Sequence, residues 1–249
     1  MMASIVHRYP KLLAASLGLW TDMLMPGQTL AAGPTRPIVL ELYTSEGCSS
    51  CPPAEELLGQ LMTDPDLLPL AFHVDYWDGQ GWRDRFSLAA ATQRQHDWGR
   101  HLKQQVYTPQ MIIDGRHSVL GSDGPAVVAA LRESLIALHA GSPMNIEATV
   151  SDGQLLVELG GNCEPGSCDT YLVSYLPQAS THVGRGENAG RTIAEWNVVR
   201  SVQKLGEVKG GPRWQIAVNT FPTDATKLAI VVQDAHGSVL GARVLDLHG

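Results

Sequence analysis

The chain has 249 residues, 44% of them hydrophobic, and its 18 basic and 25 acidic residues give a net charge of −7. This length allows two modest domains, and the ordinary apolar content predicts a globular protein rather than a disordered one. The negative charge and the lack of a basic stripe argue against nucleic acid as a partner.

The N-terminal segment has the features of an export signal. A few basic side chains precede a short apolar run at 12–20, and small residues near Ala31 and Ala32 offer a cleavage point. We therefore expect a signal peptide over residues 1–32 and a periplasmic or secreted mature protein. The apolar run is far shorter than the about 20 residues needed to cross a bilayer, so no transmembrane segment is expected after signal removal.

The first predicted elements surround a pair of cysteines. The apolar run 38–43 predicts a buried strand, and the segment after Cys48 has helix-start chemistry: serines and two prolines precede leucines at helical spacing. Cys48 and Cys51 therefore lie where a strand passes into a helix. Unpaired N–H groups and the helix dipole stabilise a thiolate there, which predicts an accessible, nucleophilic Cys48 that Cys51 resolves.

Strands and helices alternate up to about residue 140. We predict a strand at 67–74, a helix at 86–102, a strand at 111–113, its hairpin partner at 118–120 and a helix at 125–139. This alternation predicts an α/β layer fold over residues 33–142. Trp77, Trp82 and Trp98 follow the second strand and are expected to pack in the core or to border a peptide groove.

The pattern changes after residue 143, where short strand-like runs are separated by Gly, Pro, Asp and Asn. Seven strands are predicted, at 145–150, 154–159, 170–176, 192–202, 213–218, 227–233 and 239–247. Because no convincing helix lies between them, we predict an all-β sandwich-like domain over residues 143–249.

Two further features lie in the β-rich part. Cys163 and Cys168 bracket a short loop, which predicts a structural disulfide at a hairpin tip. A zinc site formed by all four cysteines is the alternative. The glycine-rich loop containing Arg185, Glu187 and Asn188 is a candidate ligand-binding loop or a contact with the first domain.

Several motifs together resemble a known family. They are the segment 41–54 with its Cys-Ser-Ser-Cys pair, His73 to Asp78, Tyr107 to Pro109, Arg185 to Asn188, and Val198 to Arg200. Over nearly all of its mature length the chain is similar to the DUF1223 family of exported thioredoxin-like proteins. The resemblance implies a thioredoxin-like domain at 33–142, in which the bond before Pro109 is cis and faces the cysteines. It implies no particular activity.

The resemblance also implies roles for three residues around the cysteines. Thr108 and Pro109 would hold an extended partner close to the sulfur of Cys48. Glu41, acidic in an otherwise apolar strand, would move a proton behind Cys51, as the buried aspartate of thioredoxins does. A surface position or an ion pair is the alternative for Glu41.

The leading functional prediction is a thiol–disulfide oxidoreductase that acts on a protein thiol or disulfide partner and uses no cofactor. Two other interpretations stay open. One is a protein that binds or delivers Cu(I) through Cys48 and Cys51. The other is a non-catalytic binding module whose disulfide is purely structural.

Overall fold

The computed structural model describes residues 36–141, 144–160, 168–206 and 213–247. The signal peptide predicted at 1–32, the domain boundary predicted at 142–143 and Cys163 of the predicted second disulfide lie outside these residues. Those three assignments therefore stay predictions.

The described residues form eleven strands, three α-helices and a short 3₁₀ helix at 218–220. The first half contains β1 (Ile38–Thr44), α1 (Pro52–Leu61), β2 (Leu67–His73), α2 (Ala89–Leu102), β3 (Gln110–Ile113), β4 (His117–Leu120) and α3 (Gly124–Ala140). The second half contains β5 (Asn145–Ser151), β6 (Gln154–Gly160), β7 (Cys168–His182), β8 (Thr192–Leu205), β9 (Arg213–Ala217), β10 (Lys227–Asp234) and β11 (Val239–Asp246). Each predicted element is present; most ends differ by up to three residues, and β7 continues to His182, six residues beyond its predicted end at 176. Within the described part of the chain, no helix is both long and apolar enough to cross a membrane.

One large mixed sheet runs through both halves of the chain. Its strand order is β11-β10-β7-β8-β2-β1-β3-β4, with β1 parallel to β2 and antiparallel to β3. The two halves meet where β8 pairs in parallel with β2, at Val198 and Ala71. Asn197 strengthens this junction, because its side-chain amide donates to the carbonyl oxygen of Pro69 at 2.7 Å.

The β-rich half is a sandwich in which one layer belongs to the large sheet. The second layer is the small antiparallel sheet β5-β6-β9, and apolar side chains such as Leu155 and Val157 pack from it against Leu172, Leu228 and Ile230 of the large sheet. The sandwich predicted for residues 143–249 therefore shares its larger sheet with the first half of the chain. The physical reason is that β2 would otherwise expose an unpaired edge, which β8 covers.

The two faces of the large sheet carry different helices. On β1, Leu40 and Leu42 point towards α1 and α3, whereas Val39 and Tyr43 point towards the core that contains Trp98 of α2. This alternation is the two-residue period of a strand. It sends Glu41 to the α2 face, away from the helix that begins at the cysteines.

Candidate functional site around Cys48 and Cys51

The cysteines occupy the predicted transition from strand to helix. They form a disulfide with a Cα–Cα distance of 5.4 Å, and Cys51 is the residue immediately before α1. Its carbonyl oxygen accepts from the backbone N–H groups of Ala54 (2.9 Å) and Glu55 (3.2 Å). Two prolines occupy the first positions of the helix, where a missing N–H group costs nothing.

The accessible Cys48 that the sequence predicts is not observed. Cys48 is 0% exposed and Cys51 1% exposed, whereas Ser49 and Ser50 between them are exposed. The sulfurs lie below the surface because residues from other elements surround the loop. The prediction of a directly reachable nucleophile is therefore wrong for the disulfide form.

Thr108 and Pro109 lie beside the disulfide, in the segment that leads into β3. The peptide bond between them is cis. The hydroxyl of Thr108 donates to Cys48 Sγ at 3.3 Å and accepts from the indole N–H of Trp77 at 2.8 Å. Ser50 Oγ also lies 3.3 Å from the same sulfur. Thr108 is thus fixed between an aromatic side chain and the candidate nucleophile.

Glu41 forms a buried ion pair rather than a proton relay. Its carboxylate accepts from Arg94 Nη2 at 2.6 Å and Nε at 2.7 Å, and from the Tyr43 hydroxyl (2.7 Å) and the Trp98 indole (2.9 Å). Burial alone would raise the pKa of Glu41, but Arg94 and these donors hold it below its ordinary value. A carboxylate held charged by four donors is a poor proton acceptor, so the structure supports the ion-pair alternative.

Glu55 is the acidic group that sequence analysis missed. It lies one turn after Cys51 on α1, is 3% exposed, and neither of its carboxylate oxygens has a hydrogen bond within the described residues. Burial raises the pKa of Glu55 to about 7, and the nearby His73 partly opposes this shift. The signal was present in the sequence, because residues four apart share a helix face.

Glu55 belongs to a buried group of titratable side chains that also contains His73, Asp84 and Glu195. His73 Nδ1 lies 2.7 Å from Asp84 Oδ2; burial lowers the pKa of His73, but Asp84 outweighs it and raises the value to about 9. Burial raises the pKa of Glu195 to about 8. Burial thus moves the pKa values of Glu55 and Glu195 towards the neutral range, whereas for Asp84 the effect of burial is outweighed by His73, which holds the pKa of Asp84 below its ordinary value.

The glycine-rich loop of the β-rich half contacts the segment between β1 and α1 (45–51), which we call the cysteine loop. The buried side chain of Asn188 donates to the carbonyl oxygens of Glu46 and Cys48, both at 2.9 Å. Glu187 accepts from the hydroxyl of Ser49 at 2.6 Å, and Arg185 is exposed. The structure thus shows the predicted contact with the first half of the chain.

Within the described part of the chain, no group of three or more His, Cys, Asp or Glu side chains is arranged to hold a metal ion. The zinc alternative also needs Cys163, which lies outside the described residues.

Comparison with known proteins gives a family and a similar crystal structure. The crystal structure of a protein from Agrobacterium tumefaciens matches with 28% identity and a TM-score of 0.70, over 86% of this chain and 96% of that chain. An endonuclease/exonuclease/phosphatase from Beutenbergia cavernae aligns with 18% identity over 41% of this chain and 22% of that chain, and its TM-score of 0.16 supports no argument. No curated protein sequence matches. The model of DUF1223, described as a protein of unknown function, matches residues 39–233, and this protein therefore belongs to the DUF1223 family.

Proposed function

We propose that this protein is an exported, thioredoxin-like thiol–disulfide oxidoreductase that uses Cys48 and Cys51. The observation that carries the proposal is the 3.3 Å contact between the Thr108 hydroxyl and Cys48 Sγ. The contact supports the proposal because the Thr108 side chain lies against the sulfur, and an extended partner bound along the adjoining backbone would present its own disulfide there.

The arrangement of the first half supports the thioredoxin-like interpretation. The strand order β2-β1-β3-β4, with helices on both faces, agrees with what the family resemblance implies. So does the position of the cysteines after β1 and of the cis Thr108–Pro109 bond before β3. Export is proposed from the N-terminal sequence and from the closed disulfide, which persists in oxidising compartments.

The chemistry is a reversible exchange of two electrons. In the reducing direction, the Cys48 thiolate attacks a partner disulfide, forms a mixed disulfide and releases one partner thiolate. Cys51 then loses its proton and attacks Cys48 Sγ, which closes the protein disulfide and releases the second partner thiolate. Glu55 is the candidate acceptor for the Cys51 proton, since its pKa of about 7 suits proton exchange near neutral pH.

The burial of Cys48 adds a step to this scheme. A partner reaches the sulfur only after the side chains around it move, and Ser49 and Ser50 are the exposed residues between the two cysteines. We therefore expect reaction rates with small thiols to be limited by opening of the cysteine loop.

Burial also favours a second candidate function, a binding module with a structural disulfide. Inaccessible sulfurs are typical of structural bridges, which resist reduction down to about −300 mV. Cu(I) binding is a further alternative, and it requires that both sulfurs first be reduced.

Trapping of a mixed disulfide tests the proposal. With a disulfide-containing peptide, Cys51→Ser should accumulate a covalent complex through Cys48, and Cys48→Ser should form none at that site. The unmutated protein should reduce insulin in the presence of a dithiol reductant. A Cys48–Cys51 disulfide that stays closed under native conditions near −300 mV, without insulin reduction, would establish the binding module instead.

A further inference from the structure

The loop between β7 and β8 (183–191) has a defined shape. Its ends are joined by backbone hydrogen bonds from Val183 N to Arg191 O at 2.9 Å and from Gly190 N to Val183 O at 2.8 Å. Gly186 has a φ of +76°, and a Cβ there would lie 3.2 Å from Cβ of Trp82. A glycine is therefore needed where this loop passes the loop between β2 and α2.

Asn188 fastens the β7–β8 loop to the cysteine loop. Its amide is fully buried, and its nitrogen donates to the carbonyl oxygens of Glu46 and Cys48. The guanidinium of Arg191 donates to Asn188 Oδ1 at 3.2 Å, which orients the amide. Because each polar atom of this amide is bonded, the neighbouring residue Glu187 has a fixed position relative to Cys48.

Glu187 uses that position to contact Ser49. Its Oε2 accepts from the hydroxyl of Ser49 at 2.6 Å and from the backbone N–H of Ser49 at 3.3 Å. Backbone N–H groups just before a helix ordinarily help to stabilise a thiolate at this position. Here one of them is bonded to a carboxylate, which adds negative charge next to Cys48.

Glu46, buried two residues before Cys48, is a further acidic group near the sulfur, and Arg85 lies 3.9 Å from its carboxylate. Glu55 lies on the following helix and adds negative charge only above about pH 7, because burial raises its pKa. The hydroxyls of Ser50 and Thr108 oppose this effect by contacting the sulfur itself. Glu187 is the acidic group of this set that comes from the β-rich half and bonds directly to the Cys-Ser-Ser-Cys segment.

We propose that Glu187 is a positioning residue of the redox site, whose carboxylate raises the free energy of the Cys48 thiolate and so favours the closed disulfide. The inference rests on the proposed function and concerns its direction. With Glu187 present, the Cys48–Cys51 dithiol is a stronger electron donor than it is without this charge. The dithiol passes two electrons and two protons to a partner disulfide, and a small dithiol returns it to the reduced form.

The test compares Glu187→Gln with Glu147→Gln in the full-length chain. Glu147 is exposed on β5, so its variant removes the same charge far from the cysteines. Two quantities are measured by alkylation and peptide mass spectrometry: the thiolate-to-thiol ratio of Cys48 as a function of pH, and the ratio of dithiol to disulfide in glutathione buffers.

For Glu187→Gln we expect both ratios to rise about threefold at low salt, the effect of one nearby, partly screened charge. The difference should shrink in 1 M salt, because an exposed charge is screened there. Glu147→Gln should behave like the unmutated protein.

Two results would overturn the inference: equal ratios for Glu187→Gln and Glu147→Gln, or a difference that 1 M salt leaves unchanged. The second would show that Glu187 acts only through the shape of the loop. Neither of the two ratio measurements needs a protein partner. Failure of insulin reduction would therefore refute the proposed function alone, and equal ratios with insulin reduction intact would refute this inference alone.

Discussion

Two buried glutamates on opposite faces of the same sheet have opposite surroundings. Glu41 accepts hydrogen bonds from Arg94, Tyr43 and Trp98, whereas neither oxygen of Glu55 has a hydrogen bond in the described structure. The pKa of Glu41 lies below its ordinary value, and that of Glu55 rises to about 7. A fully bonded buried carboxylate stabilises the fold in its charged form, whereas burial without hydrogen bonds favours the protonated form of Glu55, one helical turn after Cys51.

Removal of the partner of Glu41 should have the largest effect on stability. Arg94→Met should lower the free energy of unfolding by about 3–5 kcal/mol at pH 7, because it leaves a buried, unpaired carboxylate. Arg100→Met on the same helix is the matched control, since Arg100 is exposed, and its cost should be below about 1 kcal/mol. Urea denaturation measures both. Equal effects would mean that the buried Glu41–Arg94 ion pair contributes no more to stability than an exposed arginine does.

The second test uses the raised pKa of Glu55. The folded protein keeps its proton up to about pH 7, whereas the unfolded chain loses it near 4.5. Stability from this group therefore falls as pH rises from 4.5 to 7, by up to about 3 kcal/mol. Glu55→Gln should flatten this part of the stability curve and slow the closing step at Cys51.

The exposed neighbour provides the control for Glu55. Glu56→Gln removes an acidic group from the same helix and should leave the pH dependence of urea denaturation unchanged. If Glu55→Gln also left the pH dependence of urea denaturation unchanged, the pKa of Glu55 would not be raised in the folded protein.

The third and smallest test concerns the contact between the two halves of the chain. Asn188→Ala removes two hydrogen bonds to buried carbonyls and should cost about 1–3 kcal/mol of stability. It should also speed the reaction of the Cys48–Cys51 disulfide with dithiothreitol, since the cysteine loop is then less firmly held. Asn219→Ala, at an exposed position, should change neither quantity. An unchanged reaction rate for Asn188→Ala would show that the β7–β8 loop does not limit access.

Much of the local structure was predictable because it depends on local patterns. The alternation of apolar runs and turn residues identified the strands. The helix predicted at 125–139 is present as α3, and Asp123 caps it by accepting a hydrogen bond from Ala126 N. The position of the cysteines between β1 and α1 followed from the same signals. The family resemblance, rather than periodicity, predicted that Thr108 and Pro109 lie beside the cysteines.

The surroundings of Glu41 could not be predicted from such local patterns. A strand sends alternate side chains to opposite faces, but the sequence does not say which face α1 covers, so the choice between Glu41 and Glu55 needed the structure. The same limit applies to Cys48. Its burial depends on Thr108, 60 residues away, and on a loop about 140 residues away.

Local sequence patterns were enough to predict the order of strands and helices, the cysteine pair at a helix start and the change to a β-rich half. The pairing of β8 with the edge of β2, the contacts of Asn188 and Glu187 with the cysteine loop, and the burial of the sulfurs are known only from the tertiary structure. The physical reason is the separation along the chain between the residues that make each contact. Helix starts and strand periods depend on neighbours a few residues apart, whereas burial and charge at the disulfide depend on contacts between distant segments.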